Sequence, residues 1–248
     1  MKVSTGYPYC RELSFSRHIL QNNRGTSMKI AYKLTDLEMK THRGFQWELG
    51  KWYETTKEGK LCSPGWLYFY SDPLVGMFMN PDHANIKNPR LFRAEVEGKF
   101  LNNHGLKCGY SRAKLIKELP VPQILHVQRV RFAILCAKKV YKEKKWNKWA
   151  NNWLSGKDRT EESAAIVESA FITAQIIAQN IAQITAQITA QNTYYAEDSA
   201  YYAEESAASI ESAFFMDKNA FYAAESALSA AKNKKIDLIK IARKAMKE

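Results

Sequence analysis

Lysines and tryptophans alternate between residues 138 and 153, and this stretch of the chain is the one best suited to binding chemistry. Lysine neutralises phosphate and an aromatic ring stacks on a base, so the composition suits a nucleotide or a single strand of nucleic acid. The candidate binding residues, with one arginine from an upstream loop, are Lys138, Lys139, Lys142, Lys145, Lys148 and Arg43.

The tryptophans of this stretch have a second interpretation. Trp146, Trp149 and Trp153 are separated by three and four residues, which places them on one face of a helix. Such a stripe is typical of a face that packs against a core while the lysines remain outside. We therefore expect the tryptophans to pack and the lysines to stay free to contact an anion.

The histidines and cysteines show no spacing that defines a catalytic or metal site. The histidines of predicted loops are interpreted as surface residues rather than general bases, and they are His42, His83 and His104. The four cysteines form no CxxC or Cys/His cluster, and they are Cys10, Cys62, Cys108 and Cys136. We expect free thiols in a reducing cytoplasm, with no metal and no cofactor.

Charge is unevenly divided along the chain. Residues 1–157 contain 28 Lys and Arg against 12 Asp and Glu, residues 158–231 contain 2 against 11, and residues 232–248 contain 7 against 2. The basic part is suited to attract phosphates, acidic proteins or anionic lipid. Alternatively, the acidic segment neutralises the basic part of the same chain or of a neighbouring one.

The patterning predicts an α+β protein with a small mixed or antiparallel sheet, followed by a long alanine-rich helical region. Alternating runs predict strands at KIAYKLT and at residues 45–49, 51–55, 67–70 and 91–96. Asp72-Pro73 predicts a helix start, and residues 128–154 predict one long helix that ends at Gly156. The predicted segments are an extension 1–27, a basic α+β domain 28–122, a connecting basic amphipathic helix 123–157, an alanine-rich repeat 158–231 and a basic C-terminal docking helix 232–248.

The alanine-rich repeat contains two periodicities. Alanine occupies every fourth position from Ala170 to Ala190, and seven-residue units follow from Tyr194. The two periods drift around a helix in opposite senses, and kinks or turns are expected at the short unit ASIESA and at residues 217–219. We expect a bent helix or a coiled-coil-like hairpin that forms homo-oligomers through residues 162–231. Polar residues interrupt its apolar run, so no membrane span is expected.

The segment GWLYFYSDPLVGMFM resembles the second motif of the ADP-ribosyltransferase fold, in which an aromatic strand and the following helix hold the nicotinamide end of NAD. In that resemblance IAYKLT is the first motif strand, with Tyr32 or Lys33 at its polar position. The sequence AEVEG supplies the glutamate, Glu95 or Glu97. The resemblance implies an NAD-using transferase, and its catalytic candidates are Tyr32, Tyr68 and Glu97.

Most of residues 28–248 resemble uncharacterised phage, prophage and bacterial proteins, on the runs QRVRFAILCAKKVY, WANNWLSGKDRTEESAA and IDLIKIARKAM. The resemblance implies a mobile-element protein in the cytoplasm of a bacterial host. Our first hypothesis is a non-enzymatic accessory protein that oligomerises and binds an anionic partner, namely a nucleotide signal, nucleic acid or a host defence protein that it inhibits. The alternatives are an ADP-ribosyltransferase-like enzyme and a structural component of the phage particle.

Overall fold

The computed structural model describes residues 29–56, 59, 65–103, 105–160, 163, 198–203, 213–231 and 236–247. Across these residues the protein is α+β with an antiparallel sheet, as the patterning predicts. Several predictions lie outside the described residues. They concern the extension 1–27, Cys10, Cys62, His104, the alanine tetrads 170–190 and the unit ASIESA.

The sheet contains five strands in two connected paths. Strands β1, β6, β7 and β4 are neighbours in that order, and β5 pairs with another part of β7. Strands β2 and β3 form a separate hairpin around a 3₁₀ turn at His42–Gly44. The strand bounds are β1 Lys29–Thr35, β2 Lys40–Thr41, β3 Phe45–Gln46, β4 Trp52–Glu54, β5 Leu67–Phe69, β6 Arg90–Asn103 and β7 Lys107–Leu119.

The sheet curls until its two ends meet. The backbone N–H of Tyr32 donates to the carbonyl of Tyr70 at 2.9 Å, and the N–H of Tyr70 donates back to Tyr32 at 2.8 Å. These bonds join β1 to the residue that follows β5, so β1, β6, β7 and β5 form a closed ring. One side of the curled sheet is therefore enclosed.

A bulge in the long β6–β7 hairpin assists this curvature. Gly98 has a φ of +81°, and the N–H of Lys99 donates to the hydroxyl of Ser111 at 2.9 Å. A Cβ atom at position 98 would lie 2.2 Å from that hydroxyl oxygen. Only glycine fits the bulge, because both the positive φ and the close approach exclude a side chain.

Among the described residues, five helices with defined bounds pack on the other side of the sheet, and residues 198–203 are also helical. Helix α1 begins as predicted, with the Asp72 carboxylate accepting from the N–H of Leu74 at 2.9 Å. Of the kink or turn predicted at residues 217–219, the turn is wrong, because the helix Ala213–Ala230 continues through them. The helix bounds are α1 Pro73–His83, α2 His126–Val140, α3 Lys144–Leu154, α4 Ala213–Ala230 and α5 Leu238–Ala245.

The prediction of one long helix over residues 128–154 is wrong, because the structure has the two helices α2 and α3. The backbone is extended at Tyr141, and the Glu143 carboxylate accepts from the N–H of Trp146 at 2.5 Å. This side-chain cap starts a new helix. At the far end Gly156 has a φ of +77° and closes α3 as predicted.

Two cores result, one on each side of the sheet. The helix core lies between the sheet and the helices and includes the stacked rings of Phe78 and Phe132, whose centroids are 4.2 Å apart. The aromatic core lies on the enclosed side, where Trp47 and Phe69 are fully buried. Cys108 and Cys136 are buried free thiols, as expected for those two cysteines.

The described part of the alanine-rich repeat belongs to the helix core. Its alanines are fully buried and pack in one cluster with residues of α1, α2 and α5; they are Ala200, Ala203, Ala223, Ala224 and Ala227. This part is therefore not an extension separate from the sheet domain. Helix α5 packs in the same core, as the docking interpretation predicts, with Leu238, Ile241, Ala242 and Ala245 buried.

Candidate functional site

Helix α3 separates its tryptophans from its lysines. Trp146, Trp149 and Trp153 are buried in the helix core, whereas Lys144, Lys145 and Lys148 are exposed. The prediction that the tryptophans pack is confirmed. The exposed face of this helix therefore contains lysines, and a ligand bound to that face would not contact the tryptophan rings.

Lys138 connects the cations of three helices. Its ammonium, at the end of α2, donates to the Oδ1 atom of Asn151 on α3. Partial burial lowers the pKa of Lys138, and the nearby charges of Lys244 on α5 and of Lys142 lower it further. Lys142 in turn donates to the Lys138 carbonyl at 2.5 Å. Residues about 100 positions apart in the sequence thus form one positive region.

Two open grooves flank Lys138. The groove on α3 has a volume of about 530 Å³ and is lined by Lys142, Lys144, Asn147, Lys148, Asn151 and Asn152. The groove on α5 has a volume of about 750 Å³ and is lined by Asp237, Ile239, Lys240, Arg243, Lys244 and Lys247. We define the lysine surface as Lys138, Lys142, Lys144, Lys148, Lys240, Arg243, Lys244 and Lys247.

The structure brings together three of the six predicted binding residues and leaves three elsewhere. Lys138, Lys142 and Lys148 lie on the lysine surface. Lys139 and Lys145 are exposed but line neither groove, and Arg43 lies in the turn of the β2–β3 hairpin. Sequence reasoning missed the contribution of α5, although the basic composition of residues 232–248 was the available signal.

Arg243 of the lysine surface has a carboxylate partner. Its guanidinium lies 3.1 Å from the Asp72 carboxylate, which is also the cap of α1. The Asp72 side chain is 8% exposed and that of Arg243 is 67% exposed. The pair therefore ties α5 to the start of α1 while most of the guanidinium faces water.

The transferase candidates lie on three strands and do not meet. Tyr32 packs against the helix core and stands opposite Arg93 on β6, four residues from Glu97, a separation of roughly 13 Å along a strand. The Glu97 carboxylate forms an ion pair with Arg112, whose guanidinium lies 4.2 Å from the Trp52 ring centroid. The Tyr68 ring contacts the ammonium of Lys107. An NAD cleft that includes all three residues would have to span this separation between Glu97 and Tyr32.

His83 is not the surface loop residue that the sequence predicts. It is the last residue of α1, and its ring stacks on that of Tyr70 with the centroids 6.3 Å apart. Burial lowers its pKa well below the usual range, and the charge of Lys107 lowers it further. His83 therefore remains neutral at physiological pH.

Lys33 is a buried cation site on the enclosed side of the sheet. Its Nζ lies 5.2 Å from the ring centroid of Trp47 and 5.1 Å from that of Phe69. It donates to the backbone carbonyl of Tyr68 at 2.7 Å. Burial lowers the pKa of Lys33 to about 7, and the Cys108 thiolate would oppose this shift.

Two acids beside Lys33 are held in their protonated forms. Burial raises the pKa of the Cys108 thiol to about 12, and the Cys108 Sγ donates to the carbonyl of Phe69 at 3.3 Å. Burial also raises the pKa of Tyr110, which forms a side-chain hydrogen bond with Cys108. The enclosed side thus holds a thiol and a phenol that are neutral near pH 7, together with an amine that is about half neutral there.

Residues 29–127 match a family model described as "Domain of unknown function (DUF7666)". No curated protein and no solved structure matches the chain. The matched range contains the sheet, α1 and the first residues of α2, so it includes Lys33 but not the lysine surface of residues 138–148 and 240–247.

Two further findings concern the described residues only. None of their helices has the length and apolarity that a membrane crossing requires. They also contain no group of three or more His, Cys, Asp or Glu side chains placed to hold a metal ion.

Proposed function

We propose that this protein is a non-enzymatic accessory protein of a phage or mobile element, and that its lysine surface binds the phosphate backbone of nucleic acid. The convergence of cations from α2, α3 and α5 around Lys138 carries the proposal. The mobile-element setting is proposed from the sequence resemblance alone.

The geometry favours phosphates over bases as the target. Single-strand binders stack bases on exposed aromatic rings, but Trp146, Trp149 and Trp153 are buried. Exposed lysines instead contact phosphate and release counterions, which gives affinity without sequence preference. The amides of Asn151 and Asn152 add neutral hydrogen-bonding groups at the same place, whereas the Asn147 amide donates to the carbonyls of Tyr141 and Glu143. Duplex nucleic acid, whose phosphates are accessible and whose bases are stacked inside, fits this surface best.

We also propose that the repeat folds back as a helical hairpin. Ser199 donates to the Ala223 carbonyl at 2.7 Å, and Ser226 donates to the Asp198 carboxylate at 2.6 Å. The rings of Tyr202 and Tyr222 lie 4.9 Å apart. Later residues of the segment 198–203 thus contact earlier residues of α4. The two segments are therefore antiparallel, as in a helical hairpin.

Association of copies through the repeat remains part of the proposal. Five of the alanines are fully buried within their own chain and are not free to form a seam with a second one; they are Ala200, Ala203, Ala223, Ala224 and Ala227. We therefore propose that copies associate through other residues of the predicted range 162–231. Light scattering coupled to gel filtration checks this: the full chain is expected to exceed its monomer mass of 28.5 kDa, and a monomer would refute the association.

Duplex DNA binding at two salt concentrations tests the proposed function. The variant Lys142→Gln, Lys144→Gln, Lys148→Gln, Lys244→Gln removes four cations of the lysine surface. Because each phosphate contact contributes roughly 0.9 to the slope of log affinity against log salt, the slope should decrease by about three to four. Affinity at 50 mM salt should fall by about 100-fold or more.

A charge-matched variant controls for the overall charge. Lys29, Lys87, Lys99 and Lys117 are exposed lysines outside the lysine surface, and their replacement by Gln changes the net charge by the same amount. This control should keep most of the affinity. Equal losses in both variants, or binding that ignores salt, would refute the proposal. Selective binding of a mononucleotide or of an acidic protein would assign the surface to a different anion.

A further inference from the structure

The Lys33 side chain occupies a site that phosphate binding does not use. It points from β1 into the aromatic core, where Lys33 keeps 9% of its surface exposed. Two aromatic rings, those of Trp47 and Phe69, lie within 5.2 Å of its Nζ. The site is on the opposite side of the sheet from the helices that form the lysine surface.

Burial without a carboxylate partner favours the neutral form of the Lys33 amine, and it acts against the attraction of the two ring faces for an ammonium. The one hydrogen bond that its Nζ makes among the described residues is to the carbonyl of Tyr68, whereas an ammonium has three donors to satisfy. None of the ion pairs formed by the described residues includes Lys33. A buried ammonium without a carboxylate partner is costly, so the geometry and the lowered pKa agree.

We propose that the Lys33 amine is a nucleophile that condenses with a small, apolar aldehyde or ketone to form a Schiff base. Desolvated lysines are the kind that perform this chemistry in proteins. The aromatic walls favour an apolar carbonyl compound over a charged one, since a carboxylate or phosphate on the ligand would lose its hydration there.

The reaction balances without any oxidant or reductant. The Lys33 nitrogen attacks the carbonyl carbon and gives a carbinolamine, in which the amine has lost one proton to the former carbonyl oxygen. Loss of the second amine proton and of the hydroxyl group releases one water and leaves a C=N bond. We expect the Cys108 thiol, which interacts electrostatically with Lys33 and hydrogen-bonds with Tyr110, to supply the proton that helps the hydroxyl group leave.

The β2–β3 hairpin controls access to this amine. It leads into Trp47, whose indole N–H donates to the Thr41 hydroxyl at 3.1 Å and whose backbone N–H donates to the Met39 carbonyl at 2.9 Å. Trp47 thus covers Lys33, and it also packs edge-on against the rings of Phe45, Tyr53 and Phe69. A small carbonyl compound is expected to enter when this hairpin moves outward, and Thr41→Val should increase the rate of entry.

Reductive alkylation with acetaldehyde and cyanoborohydride at pH 7 tests the proposal in the full-length protein. Peptide mass spectrometry follows each lysine with time, and the exposed Lys29 of the same strand is the internal comparison. An amine with a pKa of about 7 is half neutral at that pH, whereas an ordinary lysine is neutral in roughly 1 molecule in 2,500. We expect Lys33 to be alkylated at least about tenfold faster than Lys29, after allowance for burial.

The pH profile of the same reaction provides a second readout. The rate at Lys33 should level off above pH 7, whereas the rate at Lys29 should continue to rise. Alkylation of Lys33 no faster than that of Lys29 would overturn the proposal, and so would alkylation that appears only when tryptophan fluorescence reports unfolding. The Lys33→Arg variant should lose the fast site. If that variant does not fold, the two measurements on the unmodified sequence decide the matter.

Discussion

Lys148 on α3 and Lys33 on β1 have the same side chain and opposite surroundings. Lys148 lies in an open groove with two other lysines and three asparagines, in contact with water. Lys33 lies between the rings of Trp47 and Phe69 and has one carbonyl as its acceptor. Water supports an ammonium in the first place, and apolar rings favour a neutral amine in the second. The environment, and not the residue type, therefore decides whether a lysine of this protein serves as a charge or as a nucleophile.

The two regions also differ in the role of their aromatic residues. Around Lys33 the rings form the walls of the site itself. On α3 the rings of Trp146, Trp149 and Trp153 are buried and pack the helix against the helix core. Aromatic residues near a lysine thus form the walls of the proposed site in one region and a packing face in the other.

The largest expected effect comes from removing a ring of α3. Trp149→Ala should lower the free energy of unfolding by about 3–5 kcal/mol, because it leaves a cavity in the helix core. Trp149→Phe keeps most of the apolar contact and removes an indole N–H that is buried without an acceptor among the described residues. Urea unfolding measures both. The Phe variant should bind duplex DNA unchanged, and a loss of affinity there would show that the ring contacts the ligand.

The next effect concerns the pH dependence of stability. Since the pKa of Lys33 is about 7 in the folded protein and 10.5 ordinarily, the unfolded chain binds a proton between these values that the folded chain lacks. Stability should rise with pH by up to about 1.4 kcal/mol per unit, or about 2 kcal/mol from pH 7 to pH 9, because the folded protein is still half protonated at Lys33 at pH 7. Lys33→Met should lack this contribution, and Lys29→Met should retain it. If stability depended on pH equally in all three proteins, Lys33 would not have the lowered pKa that distinguishes it from the exposed lysines.

A smaller effect is expected where a cation of the lysine surface has a partner. Asp72→Ala removes both the cap of α1 and the pair with Arg243, so it should cost about 1–2 kcal/mol. Asp72→Asn keeps a capping side chain, and Arg243→Gln leaves the cap intact. Each should cost less than about 1 kcal/mol, because the Arg243 side chain is 67% exposed. Thermal unfolding of the three variants checks this, and a cost for Asp72→Asn as large as for Asp72→Ala would contradict it.

Local signals made several elements of the fold predictable from the sequence. Asp72-Pro73 gives a cap and a first helical residue, and Gly156 supplies the positive φ after α3. The break between α2 and α3 was missed because Val140 and Tyr141 continue the apolar spacing of α2. The signal was Glu143, whose carboxylate caps the next helix. Strand β7 was also missed, although residues 111–115 alternate between buried and half-buried positions, with Arg112 and Lys114 at the half-buried ones.

The candidate sites required contacts that a sequence does not display. The lysines of α3 could be predicted from their spacing, but Lys244 joins them only because α5 docks on α2. The burial of Lys33 depends on the closure of the sheet through Tyr32 and Tyr70, and on the placement of Trp47 over the amine. Alternation along β1 indicates only that Lys33 shares a face with Ala31. It does not indicate that this face is enclosed.

The pKa of the Lys33 amine tests the contrast most directly. Lysine side chains labelled with ¹³C and ¹⁵N allow each ammonium to be titrated by NMR, and Lys33→Met assigns the resonance. We predict one lysine resonance with a midpoint near pH 7 that is missing from the variant. A midpoint for Lys33 near the ordinary value of about 10.4 would contradict the account, because it would place this lysine in the same class as the exposed ones.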